Sequence, residues 1–456
     1  MNLNSQKFQK IRAKKVKDQP ALLVDQYYIY DNPALVADTY TAKKLHNLAL
    51  YDYRQALFKH HWLSMTAAYH LIMKRVKANE NLLYRQMHLA KAGQNVVRQV
   101  GNDFTNWHKA IKAYHKHTAS FTGKPRMPKY LRNPRTSFQL DVQSFSQRDD
   151  YLSSKTYGFK VKIYQHHDIK GIAFVPKYHN IWVVPVHYGV KLCCSYEAPS
   201  MPAMLPDNGI YIGIDPGVDN MFACASNKTV SPILINGRPL KAVNQESNKL
   251  IAQKRKLLAQ YQQNQYQVKT RTGWQVKFAD SHRIQTLFAK RNRQIANESH
   301  NAIMRIIAYA QNCDAHTIII GKNRFWKQRA NMGKRNNQNF IGIPHALMIN
   351  KLAYRAAMYG IAVITTNESY TSQTSFLDGE QPVKQNGNHM RQKLGKSPIN
   401  RRIKRGLFKS NHGTVINADV NSALQIIKKV VPQVSFDQGI ADVVLHPVKL
   451  NPSFGY

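Results

Sequence analysis

Ile210–Val218 reads IYIGIDPGV, an apolar run over Ile210–Ile214 that ends in Asp215 and is released by Gly217. A strand that stops in an aspartate aims one carboxylate into whatever cleft lies at its end, although Asp-Pro-Gly is also ordinary turn chemistry. A second acid decides between the two readings. Ile416–Val430, INADVNSALQIIKKV, places Asp419 at the mouth of an amphipathic helix that Asn417 can cap. Two acids introducing a strand and a distant helix, in a chain with only 25 Asp+Glu among 456 residues, point to a divalent-metal site.

Charge narrows the partner. Sixty-six Lys+Arg give a formal net charge of +41. That field suits a long polyanion and is of no use to an enzyme of small molecules. Ribosomal proteins and histones share the charge but are short, whereas this length and 43% apolar composition build two or three cores. Nucleic acid is the expected partner, bound with a steep salt dependence. No stretch approaches the ~18 apolar residues of a spanning helix, so no membrane partner is expected. The opening MNLNSQKFQKIRAKKVKDQP is charged without an apolar core, so no signal peptide is expected either. Cys193, Cys194, Cys224 and Cys313 form no CxxC pair, which suits neither a disulfide framework nor a zinc ribbon. A reducing cytoplasm is the expected location.

From Thr39 to Ala119 apolar residues recur at helical spacing (Leu45, Leu48, Ile72, Val76, Val96, Val97, Val100, Phe104), which predicts a bundle of about four helices. Tyr84, Trp107 and Tyr114 lie among its basic residues, suited either to stacking on bases or to the bundle core. FTGKPRMPKYLRNPR (Phe121–Arg135) breaks the pattern and concentrates charge, with Lys124, Arg126 and Lys129 as candidate nucleic-acid contacts. Tyr151–Tyr196 alternates apolar with polar residues, predicting a small antiparallel β-barrel. Beyond it, IYIGID, NMFACAS and SPILINGRPL read as a β-meander, and Val243–Gln262 and His282–Asn312 as long helices. HTIIIGKN is a buried strand, Pro344–Tyr359 a helix, and IAVITTNES a further strand before the Asp419 helix. Meander, helix, strand, helix, strand, helix is the order of a ribonuclease H-like fold. The expected class is therefore α/β multidomain: a helical bundle, a small barrel and a ribonuclease H-like domain.

These residues also carry a resemblance. GIDPGVDNMFACAS, the stretch TIIIGKNRFWKQRANMGKRNNQNFIGIPHALMINKLAYRAAMYGIAVITTNESYTSQTSF, and RIKRGLFKSNHGTVINADVNSALQII resemble TnpB-type (OrfB) RNA-guided nucleases of insertion sequences, considered ancestors of type V CRISPR effectors. The resemblance is specific over about Tyr211–Val430 and looser upstream, where GKPRMPKY is similar to the family's linker. It implies a basic N-terminal segment over residues 1–38 and a helical recognition domain over 39–120. A linker and wedge domain follow over 121–205, then a RuvC-like nuclease domain over 206–368. A target-nucleic-acid-binding insertion spans 369–411, and the last nuclease helix and tail 412–456. It further implies a guide RNA from the transposon end and double-stranded target DNA read beside a short adjacent motif. One site holding two Mg²⁺ ions, with Mn²⁺ as substitute, would cut the DNA by phosphodiester hydrolysis.

The carry-over departs from the family twice. Asp215 and Asp419 match its first and last catalytic acids, but the strand acid is replaced by Gly321. The nearest acids are Asp314, before that strand, and Glu368, after IAVITTN on the next one; Glu368 is taken as the relocated catalytic and metal-binding acid. Where the family carries four zinc cysteines after a TSQTC-like string, this chain has Ser375, and His389 and His412 alone make no tetrahedral site. No zinc is expected. Trp326, Lys327, Arg329, Lys334 and Arg335 in the polar run Gly321–Phe340, and Arg401, Arg402, Lys404 and Arg405 in RRIKRG, are further candidate nucleic-acid contacts. The alternative to a nuclease is a nuclease-dead, RNA-guided DNA-binding repressor; a plain RNA-binding scaffold is a weaker third reading.

Overall fold

The computed structural model describes residues 22–59, 65–78, 83, 85–167, 172–197, 202–270, 273–322, 342–382, 401–404 and 406–453. The described residues divide into two compact units, one over 22–197 and one over 202–453.

The N-terminal unit opens with strand β1 (Leu22–Ile29), followed by helices α1 (Pro33–Phe58), α2 (Met65–Ala78) and α3 (Ala90–Lys116). Helix α1 starts where Asn32 Oδ1 accepts Leu35 N–H at 2.9 Å and Pro33 supplies a residue that needs no donor there. Leu35, Ala42, Leu45 and Ala49 of α1 face Val96, Val97, Val100 and Phe104 of α3 in one core. The described residues hold three helices in this stretch, where spacing predicted about four, and the first begins ahead of Thr39.

Strands β2 (Phe138–Asp141), β3 (Ser146–Arg148), β4 (Tyr151–Ser154), β5 (Phe159–Lys162), β6 (His166–His167), β7 (Ala173–Phe174), β8 (Tyr178–Val186) and β9 (Gly189–Glu197) complete the unit. The main sheet has the order β1-β9-β8-β2, all antiparallel, with β3-β4-β5 and β6-β7 as small separate sheets. The expected closed barrel is thus, among the described residues, a set of open sheets. Alternation found the strands within Tyr151–Tyr196 and missed β1, β2 and β3, which lie outside that stretch, and it carries no information on whether a sheet's edges meet.

The C-terminal unit is built on β10 (Tyr211–Pro216), β11 (Asn220–Ser226), β12 (Ile233–Asn236), helix α4 (Arg238–Gln260), hairpin β13 (Gln265–Thr270) and β14 (Gly273–Phe278), and helix α5 (His282–Asn312). It continues with β15 (Thr317–Gly321), α6 (His345–Ala357), β16 (Ala362–Thr366), β17 (Arg402–Lys404), β18 (Leu407–Lys409), β19 (Val415–Asn417), α7 (Ala418–Val430), α8 (Ile440–Val443) and β20 (Val448–Leu450). Its six-stranded sheet has the order β16-β15-β10-β11-β12-β20, with β10, β11 and β12 antiparallel and β15 and β16 parallel to β10.

Period-two alternation sorts β10 between two cores. Ile212 and Ile214 join Ile303, Ile306 and Ile307 of α5, while Tyr211 joins Ile426 and Ile427 of α7. Gly213 lies on the α7 side, where a Cβ would stand 1.9 Å from the Ala423 carbonyl oxygen. The glycine in IYIGID therefore lets α7 rest directly on the strand, one turn from Asp419.

Candidate active site

Asp215 follows Tyr211 and Gly213 on the face of the sheet that α7 covers. The parallel register Ile214↔Ile320 puts position 321 level with Asp215, and Gly321 pairs in turn with Thr366 of β16. On α7, Asn417 Oδ1 accepts from the N–H groups of Asp419 and Val420 at 3.0 and 3.2 Å, which fixes Asp419 in the first turn. The two aspartates share a cleft of about 640 Å³ that Asp219, Asn220, Arg238, Arg402 and Lys449 also line. Asn220 Nδ2 donates to Asp419 Oδ2 at 2.8 Å, and His345 Nε2 donates to the Gly217 carbonyl at 2.8 Å, steadying the turn that follows Asp215.

Glu368 does not line that cleft. It stands on the other flank of Asp215, where a Cβ on Gly321 would lie 3.1 Å from its Cβ and 3.1 Å from its Oε2. The carboxylate thus fills the space into which a side chain at position 321 would project. Asp314, the other candidate, sits in a left-handed turn at the opposite end of β15 with its side chain 81% exposed, and is not near Asp215.

Electrostatics ties the three acids together. Burial pushes the Asp215 carboxyl well above the usual range, and the charges of Asp419 and then Glu368 push the same way; Arg402 and a hydrogen bond from Ser422 oppose them. Burial also pushes Glu368 up to about 7, against the pull of Lys429. Such crowded, desolvated acids mark functional sites more often than structural ones. Among the described residues no three His, Cys, Asp or Glu side chains are gathered tightly enough to hold one ion by themselves. The set nevertheless fits hard divalent cations: its donors are all oxygen, and a cation would relieve the repulsion that raises Asp215.

The polar side of α7 is covered by the segment after Glu368. Asn421 Oδ1 accepts Phe376 N–H at 2.8 Å and its Nδ2 donates to the Thr374 carbonyl at 2.8 Å, while Lys428 Nζ donates to the carbonyls of Gly379 and Glu380. Ser375 is fully buried, and its N–H donates to Glu380 Oε2 at 2.7 Å. Arg401, expected as a phosphate clamp, is instead buried against Glu380 at 3.0 Å and Asp378 at 3.8 Å, and also donates to Asn411. Arg402 and Lys404 are exposed, and Arg402 reaches the cleft. Removing one member of a buried ion pair strands its partner. Arg401→Ala is therefore expected to cost about 3 kcal/mol or more, read as a lower urea midpoint; an unchanged midpoint would return Arg401 to the phosphate role.

In the N-terminal unit, Lys124, Arg126 and Lys129 are all exposed along a strap whose carbonyls are pinned from beneath. Trp107 Nε1 donates to Pro125 O at 3.3 Å, Arg54 donates to Pro128 O, and Asn47 Nδ2 donates to Leu131 O at 3.1 Å. Trp107 is thereby spent on holding the strap. Tyr84, Trp326, Lys327, Arg329, Lys334, Arg335, His389 and Arg405 lie outside the described residues. Sequence reasoning missed Asn220, whose place in the DNM turn of the first motif could have marked it, and Ser422, next to Asn421 in ADVNSA.

Residues 345–426 match the family model described as Cas12f1-like, TNB domain, a segment under a fifth of the chain that contains Glu368, Arg401, Arg402 and Asp419. Similar solved structures include one described as a cryo-EM structure of the Cas12f1-sgRNA-target DNA complex, 15% identical, covering 89% of this chain and 98% of that one at a TM-score of 0.33. Another, a CRISPR-Cas12f ternary complex, is 14% identical and covers 86% and 80% at a TM-score of 0.32. No curated protein matches.

Proposed function

We propose that this chain is an RNA-guided DNA endonuclease of the TnpB type, with Asp215, Glu368 and Asp419 as its catalytic acids. One observation carries the reading: Asp215 and Asp419 meet in a cleft shared with Arg402, and Glu368 occupies the space that Gly321 leaves beside Asp215. The strand order and directions of the six-stranded sheet support a ribonuclease H-like nuclease domain, and the match over residues 345–426 supports the nucleic-acid-binding insertion. The N-terminal unit would supply the recognition and wedge parts, with the exposed strap of Lys124, Arg126 and Lys129 against phosphates.

In this reading the protein reads backbone and shape while guide pairing reads sequence. Arg402 draws a phosphate of the DNA strand into the cleft and leaves its negative charge facing Asp215 and Asp419. Asn220 holds Asp419 at a fixed rotamer, and His345 fixes the turn after Asp215. Mg²⁺ or Mn²⁺ held by Asp215, Glu368 and Asp419 would supply the charge that activates water and stabilises the leaving oxygen. Zinc has no part in the proposal; the Arg401–Glu380–Asp378 cluster closes the insertion in its place. The nuclease-dead repressor remains the second reading, favoured by the absence of Glu368 from the cleft lining.

Ionising two acids with raised pKa values costs the folded state free energy. The penalty is absent below about pH 4, where the unfolded chain's carboxyls are protonated too, and it grows up to about pH 7 for Glu368. For Glu368 that is roughly 3 kcal/mol at about 1.4 kcal/mol per tenfold. A cation that neutralises the cluster should therefore raise the melting temperature more at pH 8 than at pH 5.5, and Asp215→Asn should shrink that increment. Thermal scans with and without Mg²⁺ or Mn²⁺ measure it; equal increments at both pH values would count against a carboxylate metal site.

A further inference from the structure

Hairpin β13–β14 stands between helices α4 and α5, which pack on each other through Ile251, Leu258 and Ile284. Six register pairs from Gln265↔Phe278 to Thr270↔Gly273 build it, and Ala279 N–H donates to Asn264 O at 2.8 Å to close its base. β14 is exposed on both faces along almost its whole length. An isolated two-stranded hairpin is marginal in water. This one also carries its aromatics outward: Trp274 is 67% exposed, Tyr266 48%, and Tyr261, just before it, 65%. Opposite residues share a face, so Tyr266 with Lys277 lies on one side, and Trp274 with Val276 on the other.

We propose that this hairpin is a stacking platform for the unpaired bases of a single-stranded polynucleotide. The sequence over residues 261–279 has three basic residues and not one Asp or Glu, and amides (Gln265, Gln267, Gln275) take three further strand positions. Each face thus presents one exposed ring, Tyr266 beside Lys277 on one and Trp274 on the other, and a base can stack on either whatever the sequence. A second copy of a chain with net charge +41 would meet the hairpin with like charge, so an acidic polymer is the better fit. A duplex hides its base faces and offers the rings nothing to stack on. The platform draws on the nucleic-acid reading only through charge, and asks nothing of the catalytic acids.

The full chain should be titrated with fluorescent single-stranded DNA, single-stranded RNA and duplex DNA, each about 16 nucleotides long, alongside three variants. Trp274→Ala, and a truncation joining Gln263 to Asp280 through Gly-Ser, should each weaken single-strand binding about tenfold and leave duplex binding unchanged. Trp274→Phe should restore most of the loss. A larger loss with RNA assigns the platform to the guide, a larger loss with DNA to a target strand, and either supports it. The exposed position of Trp274 keeps folding out of the comparison, and circular dichroism of each variant checks this. The proposal falls if the variants bind single strands like the wild type, or if duplex binding drops equally. It falls as well if truncation turns a dimer into a monomer with strand binding intact. These titrations are read without any cleavage, so a failed platform and a failed nuclease give different results.

Discussion

Asp215→Ala is expected to lower DNA cleavage by the RNA-loaded chain roughly a thousandfold or more, about 4 kcal/mol of transition-state stabilisation, with RNA and target binding retained. Asp419→Ala should do the same. A second readout separates a catalytic acid from a structural one. Asp215 is held against burial and against the charges of Asp419 and Glu368, so alanine removes a source of strain. The variant should melt at the wild-type temperature or higher at pH 8, as active-site substitutions do when function is kept at the expense of stability. A dead and destabilised variant would instead mean that Asp215 holds the sheet together.

The second large effect belongs to Glu368. Glu368→Ala is expected to reduce cleavage at least about a hundredfold, and the structure supplies a rescue. A side chain on Gly321 would project into the space Glu368 fills, its nearest other neighbour being the end of the Ile426 side chain at 2.7 Å, which can rotate away. Gly321→Glu combined with Glu368→Ala moves the acid from one strand to its neighbour and should recover part of the activity. Gly321→Glu alone crowds two carboxylates beside Asp215 and should cost stability. If Glu368→Ala cuts at the wild-type rate, the strand acid has been lost rather than moved, and the repressor reading gains.

What the sequence made legible, and what it did not, follows from the range of each interaction. Helix His282–Asn312 was read with its bounds unchanged, because thirty-one residues of regular apolar spacing average out local noise. The strand IYIGID, and the helix of Asp419 with its Asn417 cap, were legible because cap, period and terminus agree locally. The hairpin Gln265–Phe278 was missed, since both its faces are polar or exposed and it has no buried side to impose alternation. Arg401 was misplaced because a run such as RRIKRG looks alike whether its first arginine meets solvent or two buried acids far along the chain. The nearness of Glu368 to Gly321 depends on parallel pairing across a helical connection, which no local pattern encodes.

The central claim is tested most directly by purifying the chain with the RNA it carries, sequencing that RNA, and incubating the complex with a plasmid bearing the complementary sequence, with and without Mg²⁺. The account predicts a defined RNA, stripped by high salt, and cleavage of the matching plasmid only when Mg²⁺ is present and Asp215 is intact. A chain that purifies free of RNA at low salt, or an RNA-loaded complex that binds its target and never cuts it, would contradict the account.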